Sequence, residues 1–255
     1  MFVPLLEKEA KAEIAAKWDD SSESYDSHHG HGIKTKKEHE AWIEALSGVL
    51  PPIGSKVLDV GCGTGEMSCL LAEMGYIVTG VDLSERMLQK ARSKANVADL
   101  KVRFEPGDAE KLSFEDESFD AVINRHVFWT LLRPRSALQE WKRVLKNKGR
   151  LIVIDGLWMD VSLESKLRRL IGDLSILILK RRNPREGWYS KETELALPHP
   201  RGMDVQKART YLEEAGFKGI DLTYLDNIRN IQRKHMPFSQ RVTHDAAYYM
   251  ICGQK

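Results

Sequence analysis

Three glycines at alternate positions follow a short apolar run. The segment VLDVGCGTGE (57–66) places Gly61, Gly63 and Gly65 directly after a predicted strand and before a predicted helix. Glycine adopts positive φ readily and lets a ligand approach main-chain N–H groups closely. Open α/β sheets bind ligands at the carboxyl ends of their strands, where a strand meets its crossover. The pattern therefore predicts a ligand-binding loop.

An acidic residue, Asp82, ends the next predicted strand. A carboxylate at that point can accept hydrogen bonds from both hydroxyls of a ribose. The dinucleotide fingerprint needs glycine at its first, third and sixth positions, and here Glu66 stands at the sixth. Gly-x-Gly-x-Gly followed by an acidic residue instead suits a ligand with an adenosine and no phosphates. The spacing therefore disfavours an NAD-linked oxidoreductase.

Histidines supply the remaining candidate chemistry. His28, His29 and His31 lie in a polar loop, but no cysteine or paired carboxylate completes a metal-ligand pattern, so no metal is predicted. His28 and His31 are instead candidate substrate contacts. His126 is the candidate general base, with a packed, hydrogen-bonded histidine as the alternative, and the catalytic residue is otherwise unassigned.

Composition restricts the class of protein. The chain has 255 residues, 42% hydrophobic and 30% charged, as in a globular protein with an ordinary core. A formal net charge of +2 gives no reason to expect nucleic-acid binding. Cys62, Cys69 and Cys252 lack disulfide or metal spacing and are expected to be reduced thiols. No apolar run approaches the roughly 20 residues that span a bilayer, and the charged N-terminal segment does not resemble a secretory signal. We expect a cytoplasmic protein without stable membrane insertion.

The elements that position the glycine loop alternate between strand and helix. Apolar runs predict strands at 56–61, 76–82, 102–108, 119–124 and 150–156, separated by helices at 66–74, 84–95 and 134–145. A helix at 204–215 and strands near 219–225 and 247–252 continue the series. This rhythm predicts an α/β fold, a Rossmann-like, mostly parallel seven-stranded sheet with helices on both faces.

Four regions are predicted along the chain. Residues 1–50 form an N-terminal helical cap of two helices around the polar loop 19–32, and residues 51–156 form the ligand-binding core. Residues 157–203 form an inserted lid, with a long amphipathic helix at 161–180 and a loop at 183–203. Residues 204–255 complete the sheet. The loop 19–32 is too polar to hold itself in place by apolar burial, so we expect it to be mobile without ligand.

Five sequence blocks together resemble class I S-adenosylmethionine-dependent methyltransferases. They are DVGCGTG (59–65), VDLSERML (81–88), GDAEKLSF (107–114), FDAVINRHVFWTL (119–131) and RVLKNKGRLIVID (143–155). They are most similar to the small-molecule group that includes ubiquinone/menaquinone-type methyltransferases, although KNKG (146–149) replaces the usual Pro-Gly turn. The resemblance implies S-adenosyl-L-methionine as cofactor and methyl transfer to a small-molecule acceptor by in-line displacement at the sulfonium.

The resemblance also implies cofactor-binding roles at matching positions. These are Gly61, Gly63 and Gly65 at the methionine part with Asp59 near its ammonium, Asp82 at the ribose, Leu83 and Met87 along the adenine, Asp108 at the adenine amino group with Ala109 beside it, Asn124 and Arg125 flanking the methionine and the reacting methyl, and Tyr25 approaching from the N-terminal loop.

The acceptor side is less defined. Candidate acceptor contacts are His28, His31, Trp129, Trp158 and His199, with core or lid packing as the alternative for the tryptophans. A polyprenyl-quinone-like molecule, a small phenol or amine, and an anionic metabolite all stay open as acceptors. So do a homodimer, contact of the basic lid helix with a membrane surface, and a non-catalytic subunit that only binds the cofactor.

Overall fold

Seven strands form a single sheet. The computed structural model describes residues 7–28, 30–157, 188–236 and 248–255. Its strands are β1 (Lys56–Val60), β2 (Ile77–Asp82), β3 (Val102–Pro106), β4 (Phe119–Arg125), β5 (Leu145–Gly156), β6 (Lys218–Tyr224) and β7 (Tyr248–Gln254). Their order is β3-β2-β1-β4-β5-β7-β6. Strands β1 to β5 pair with one another in parallel, and β7 is antiparallel to β5 and β6. The predicted α/β fold is confirmed.

Helices cover both faces of this sheet. Those in the described residues are α1 (Glu7–Ser21), α2 (Lys36–Ser47), α3 (Glu66–Glu73), α4 (Glu85–Val97), α5 (Pro134–Val144), α6 (Lys191–Ala196), α7 (Val205–Glu214) and α8 (Asp226–Lys234). Short 3-10 helices lie at Tyr25–Ser27 and Phe128–Thr130. In the described part of the chain, no helix is long and apolar enough to cross a membrane.

The core consists of two apolar layers, because successive strand side chains point to opposite faces of the sheet. Val122 of β4 belongs to the layer that contains Trp141 of α5, and α7 packs in the same layer. Its neighbour Ile123 belongs to the opposite layer, with Trp42 of α2, and α3 and α8 pack there. Both tryptophans have no exposed surface. This alternation explains why the strands appear in the sequence as continuous apolar runs.

The strand order places a crevice at the centre of one sheet edge. From β1 the chain steps outward through β2 to β3, and it then returns to the other side of β1 as β4. The crossovers after β1 and β4 therefore diverge, and the carboxyl ends of these two strands lie at the switch point where open α/β sheets bind ligands.

Some elements differ from the sequence prediction. The segment 183–203, predicted to be loop, contains α6, whose N-cap Ser190 accepts a hydrogen bond from the N–H of Thr193. Helix α8 was not predicted, since few apolar residues mark it, but Ile228 and Ile231 bury one side of it. Helix α1 also extends into the predicted loop, as far as Ser21.

The two ends of the predicted lid meet. Leu157 forms a β-bridge with Gly202, and the N–H of Met203 donates to the carbonyl of Gly156 at 3.1 Å. The inserted segment therefore begins and ends beside the end of β5. The predicted helix at 161–180 and the candidate contact Trp158 lie outside the described residues.

Candidate functional site

A cleft of about 720 Å³, counted out to its mouth, opens at the carboxyl ends of β1, β2 and β4. Its wall includes Gly61, Gly63, Asp82, Arg125 and His126, all at or just after strand ends. The predicted ligand-binding loop therefore borders this cleft.

The three glycines of the loop serve different purposes. All have positive φ, at 67° for Gly61, 53° for Gly63 and 76° for Gly65. A Cβ on Gly61 would lie 2.5 Å from Cγ2 of Val127, so the loop passes too close to that side chain for any larger residue. A Cβ on Gly63 would meet only the ring of Tyr25, at 3.9 Å. Gly63 is the glycine that leaves room above the loop.

Gly65 packs against α4. A Cβ there would come within 2.8 Å of the Cβ of Ala91, on α4. Gly65 is also absent from the cleft wall. Its small size lets α3 begin close to α4, which is a packing requirement, whereas the resemblance implied a position at the methionine.

Asp82 fastens the glycine loop to the end of β2. One carboxylate oxygen accepts the N–H of Gly63 at 2.9 Å, and the other accepts the N–H of Ser84 at 2.9 Å. Burial raises the pKa of Asp82, and these two hydrogen bonds partly oppose that rise. Leu83 and Met87 continue the same wall. The three residues predicted to contact a nucleoside are thus side by side.

Two further carboxylates border the cleft. Asp108 accepts the N–H of Glu110 at 2.9 Å and the ammonium of Lys11 at 2.7 Å. Lys11 also pairs with Glu110 at 2.8 Å and with Glu7 at 3.0 Å. Burial alone would lower the pKa of Lys11, but the hydrogen bonds that its ammonium donates to Asp108, Glu110 and Glu7 outweigh it and raise that pKa. Ala109 lines the wall between the two acids.

Helix α1 lies across the cleft. Lys11, Ile14 and Trp18 line it from one face of the helix. Near the end of α1, Asp19 accepts a hydrogen bond from the hydroxyl of Ser84 at 2.6 Å. In the middle of the helix, Glu13 accepts one from the hydroxyl of Ser190 at 2.6 Å. We call residues 7–28 the N-terminal strap. The sequence analysis missed Lys11 and Glu110, although the helical spacing of Lys11, Ile14 and Trp18 could have indicated one common face.

Polar contacts hold the segment that follows α1. Asp26 accepts the hydroxyl of Thr64 at 2.5 Å and pairs with Lys94 at 2.9 Å. The N–H of Ile33 donates to Glu66 at 2.7 Å. Tyr25, the predicted cover, lines the cleft over the glycine loop. The segment expected to lack holding contacts is docked on the core, because hydrogen bonds and ion pairs replace the apolar burial that its composition cannot provide.

Arg125 projects from the end of β4 into the cleft wall. Its guanidinium lies over the ring of Trp42, 5.4 Å from the centroid, and donates to the carbonyls of Gly30, at 3.2 Å, and of His31. Asn124 beside it has no exposed surface and does not line the cleft. Within the described residues its side-chain amide has no hydrogen-bond partner.

Asp59, predicted near a ligand ammonium, lies behind the glycine loop. It is 1% exposed and accepts the hydroxyl of Ser68 at 2.6 Å. Burial raises its pKa to about 6. Asp59 does not line the cleft, so a ligand would be influenced by its charge only through the loop.

The candidate base His126 occupies an unusual backbone position. Its φ is 62°, and its N–H donates to the carbonyl of Ile154 at 2.9 Å. Its ring lies 5.7 Å from the ring of His31 and 5.4 Å from that of Tyr248. Burial, together with the charge of Arg125, holds the pKa of His126 well below its usual range. The imidazole is therefore uncharged at neutral pH.

The predicted acceptor contacts are dispersed. His31 lies 4.4 Å from the ring of Tyr25, and the exposed His28 lies 6.2 Å from His31. Trp129 packs in an aromatic cluster against Trp18, with 5.6 Å between ring centroids, and does not line the cleft.

His199, a predicted acceptor contact, lies away from the cleft and next to α7. Its Nε2 lies 2.9 Å from the hydroxyl of Tyr211, on α7, and it does not line the cleft. A local aromatic partner explains its burial. Across the described residues, no group of three or more His, Cys, Asp or Glu could hold a metal ion.

Comparison with known proteins gives consistent matches. A family model described as "Methyltransferase domain" matches residues 58–153. A demethylmenaquinone methyltransferase of Paenarthrobacter aurescens (strain TC1) is 30% identical over 219 residues, covering 83% of this chain and 80% of that protein. Another, of Clavibacter sepedonicus, is 33% identical over 144 residues, 56% of this chain and 58% of that protein. The UbiE C-methyltransferase of Roseobacter denitrificans is 38% identical over 122 residues, 46% of this chain and 49% of that protein. The chain thus spans about half the length of the last two relatives.

Solved structures share the fold. The [4+2]-cyclase SpnF has a TM-score of 0.65 at 18% identity, covering 96% of each chain. A phosphoethanolamine N-methyltransferase 2 of Haemonchus contortus has a TM-score of 0.66 at 16% identity, covering 100% of this chain and 61% of that one. At these identities the likeness concerns the architecture alone.

Proposed function

Because the chain belongs to the class I S-adenosylmethionine-dependent methyltransferase family, we propose that it transfers a methyl group from S-adenosyl-L-methionine to a small-molecule acceptor. The observation that carries the proposal is the junction of Gly63 and Asp82. A carboxylate suited to a ribose is hydrogen-bonded to the loop residue that leaves the cleft open.

The cleft suggests how the cofactor would be arranged. Asp82 would take the ribose hydroxyls, with the adenine running toward Asp108 and the methionine over Gly63. The proposed direct contacts are Tyr25, Gly61, Gly63, Asp82, Leu83, Met87, Asp108, Ala109 and Arg125, all on the cleft wall. We propose that Asp59, Gly65 and Asn124 shape this wall from behind.

The surroundings of α3 favour an adenosine ligand without phosphates. A dinucleotide would place its pyrophosphate at the N-terminus of this helix. Glu66 stands in the first turn, where it pairs with Lys94, and Asp26 is hydrogen-bonded to Thr64 just before it. These two carboxylates share the single cation Lys94, so the negative charge that remains there would repel phosphates. S-Adenosylmethionine has none, which supports it over NAD.

Methyl transfer from a sulfonium mainly requires that the protein align the methyl donor with the acceptor. A sulfonium methyl is already activated, so the chain would mainly hold donor and acceptor in line and exclude water. The N-terminal strap is placed to exclude it. His126 is the candidate general base: its uncharged imidazole has a lone pair, but its low pKa makes it a weak base. It therefore suits an acceptor whose own proton is acidic.

We also propose the division into a helical cap (1–50), core (51–156), inserted lid (157–203) and C-terminal part of the core (204–255). The contact between Gly156 and Met203 supports the lid boundaries, since it closes the insertion at its base.

The test begins with binding. Calorimetry should show that S-adenosylmethionine and S-adenosylhomocysteine bind, and that NAD binds far more weakly. Tight binding of NAD without any of S-adenosylmethionine would overturn the proposal.

Transfer is then assayed with a methyl-labelled cofactor and a panel of quinones, phenols, amines and carboxylates. Quinones come first because relatives are named for demethylmenaquinone. The transfer assay is essential because a [4+2]-cyclase shares this fold. Binding without transfer to any acceptor in the panel would favour a non-catalytic subunit.

A further inference from the structure

We propose that the N-terminal strap and residues 188–197 form one cover, so that a cofactor held under the strap also fixes a segment that it does not touch. Residues 188–197 include α6 and are called the returning limb, because the chain runs from them to the bridge between Gly202 and Leu157 at the end of β5. Glu13 of α1 is the polar link between the two parts. The inference rests on the proposed function, which supplies the cofactor.

One carboxylate makes the polar part of the junction. Glu13 accepts hydrogen bonds from the N–H of Ser190 at 2.5 Å, from its hydroxyl at 2.6 Å and from the hydroxyl of Thr193 at 2.5 Å. Burial alone would raise the pKa of Glu13, but these hydrogen bonds outweigh it and lower that pKa. Ser190 is also the N-cap of α6. Glu13 therefore holds the residue on which α6 begins.

The apolar part of the junction is a cluster separate from the two layers of the sheet. It consists of Ile14, Tyr189 and Leu197, each at most 5% exposed. Ile14 belongs to the strap and the other two to the returning limb, so each part buries the apolar side chains of the other. Within α1 the buried residues are Ala10 and Ile14, and within α6 the buried residue is Thr193. Opening one part therefore exposes the other, as in a single cooperative unit.

The strap lines the cleft, whereas the returning limb lies behind it. Trp18 is on the cleft wall, and its ring centroid is 5.6 Å from that of Trp188. Thr130 is on the wall too, and its hydroxyl lies 3.0 Å from that of Tyr189. Among the described residues, none of 188–197 belongs to the wall. A ligand in the cleft would thus act on the limb through the residues in front of it.

The strap is able to open, because water can replace polar contacts such as that of Asp19 with Ser84. A helix of 15 residues is also marginal by itself in water. A ligand that packs under Trp18 favours the closed strap, and by linkage it favours every segment that closes with the strap. Cofactor loading therefore fixes the returning limb before any acceptor is present.

Hydrogen exchange with and without S-adenosylhomocysteine tests this coupling. The amides to follow in the limb are those of Glu194 and Leu197, which donate to the carbonyls of Ser190 and Thr193 at 2.9 and 3.1 Å. At a ligand concentration 100 times the dissociation constant, exchange in wild type should slow by roughly 10- to 100-fold in α1 and at these two amides. The limb should respond although it does not line the cleft.

Two substitutions break the junction, and each has a matched control. Glu13→Ala removes the polar link, and Glu40→Ala removes an acid that is 61% exposed in a surface pair with Lys36. Leu197→Ala shrinks the apolar cluster, whereas Leu195→Ala changes a leucine of α6 that is 66% exposed. Each protein is measured at the same multiple of its own dissociation constant, which calorimetry supplies.

The double variant, Glu13→Ala with Leu197→Ala, should lose the response of the limb. The ligand should still slow exchange in α1 about as much as in wild type, but at amides 194 and 197 the slowing should fall below about 2-fold. Each single variant should lie between, and Glu13→Gln, which keeps an acceptor oxygen, should be closer to wild type than Glu13→Ala. Both controls should match wild type. Since the readout is a ratio within each protein, an unrelated change in basal exchange cancels.

Two results would overturn the proposal. Slowing of the limb that is equal in wild type and in the double variant would assign the transmission to Thr130 and Tyr189, and slowing in wild type that is confined to α1 would show no coupling. A wild type that does not bind S-adenosylhomocysteine refutes the proposed function instead. The coupling is then decided without ligand: Leu197→Ala, a change in the limb, should speed exchange in α1 by about 3-fold or more, and an effect confined to the limb would overturn it.

Discussion

Replacing Asp82 with alanine tests the centre of the proposed site. The change removes the acceptor of two backbone hydrogen bonds, from Gly63 and Ser84, both at 2.9 Å. It also removes the carboxylate proposed to take two ribose hydroxyls. The fold should survive, because Asp82 ends β2 at the cleft and is not part of the apolar core.

The expected loss follows from these contacts. A hydrogen bond to a charged group contributes roughly 1.5–3 kcal/mol, and water entering the enlarged cleft would recover part of what two such bonds provide. We therefore expect cofactor binding to weaken by about 1–3 kcal/mol, roughly 5- to 150-fold in dissociation constant. Asp82→Asn should lose less, since the amide oxygen still accepts one hydrogen bond while the charge is gone.

Calorimetry with S-adenosylhomocysteine measures the effect, and a 2′,3′-dideoxyribose analogue identifies its origin. Wild type should bind the analogue more weakly than the parent compound, whereas Asp82→Ala should bind the two nearly alike. Asp116→Ala is the matched control, because Asp116 is 73% exposed in a surface ion pair with Arg143. An unchanged dissociation constant in a folded Asp82→Ala protein would refute the reasoning.

Three further changes should have measurable effects. Burial raises the pKa of Asp155 to about 7, above its unfolded value near 4, so the stability that this group contributes is present below about pH 4 and is lost as the pH rises through about 7. In urea titrations at pH 5 and pH 8, Asp155→Asn should remove up to roughly 3 kcal/mol of that pH dependence; an unaltered dependence would contradict the shift. Gly61→Ala forces an alanine to a φ of 67° with its Cβ 2.5 Å from Val127. The free energy of unfolding should therefore fall by at least about 1–2 kcal/mol. Gly48→Ala, whose Cβ would have nothing within 4 Å, serves as control. Lys11→Met leaves Asp108 and Glu110 without their counter-ion and should destabilise the fold by about 1–3 kcal/mol, while Lys36→Met, 91% exposed, should change little; equal urea midpoints for the two lysine variants would show that the cluster adds no stability.

The sheet was predictable because each of its central strands is a continuous run of apolar residues in the sequence. Residues such as Val122 and Ile123 are buried on opposite faces, so a parallel strand appears as an apolar run whichever way its side chains point. Helix α8 carried a weaker signal, since its buried side includes the polar Arg229 and Gln232. Their burial depends on α2 and β7, which are distant in the sequence.

The sequence predicted a glycine-rich ligand-binding loop, but it did not predict what each residue of the site faces. A glycine pattern predicts positions without a side chain, but it does not predict the reason for each one. Gly63 faces the cleft, whereas Gly65 packs against a helix. The role of Lys11 was not predicted, because its partner Asp108 is 97 residues away in the sequence. The contact of His199 with the hydroxyl of Tyr211 was not predicted for the same kind of reason, because no sequence pattern links the two residues.

The contacts of α1 have a consequence for the order of folding. Its partners stand 65, 97 and 177 residues away, at Ser84, Asp108 and Ser190. A helix of 15 residues is marginal by itself in water, and closing loops of that size costs entropy that only a finished core repays. During synthesis α1 emerges before all of its partners, so it cannot make its full set of contacts until residue 190 has left the ribosome. The element that covers the cleft is therefore among the last to settle, and the glycine-loop wall of the cleft forms before α1 closes over it.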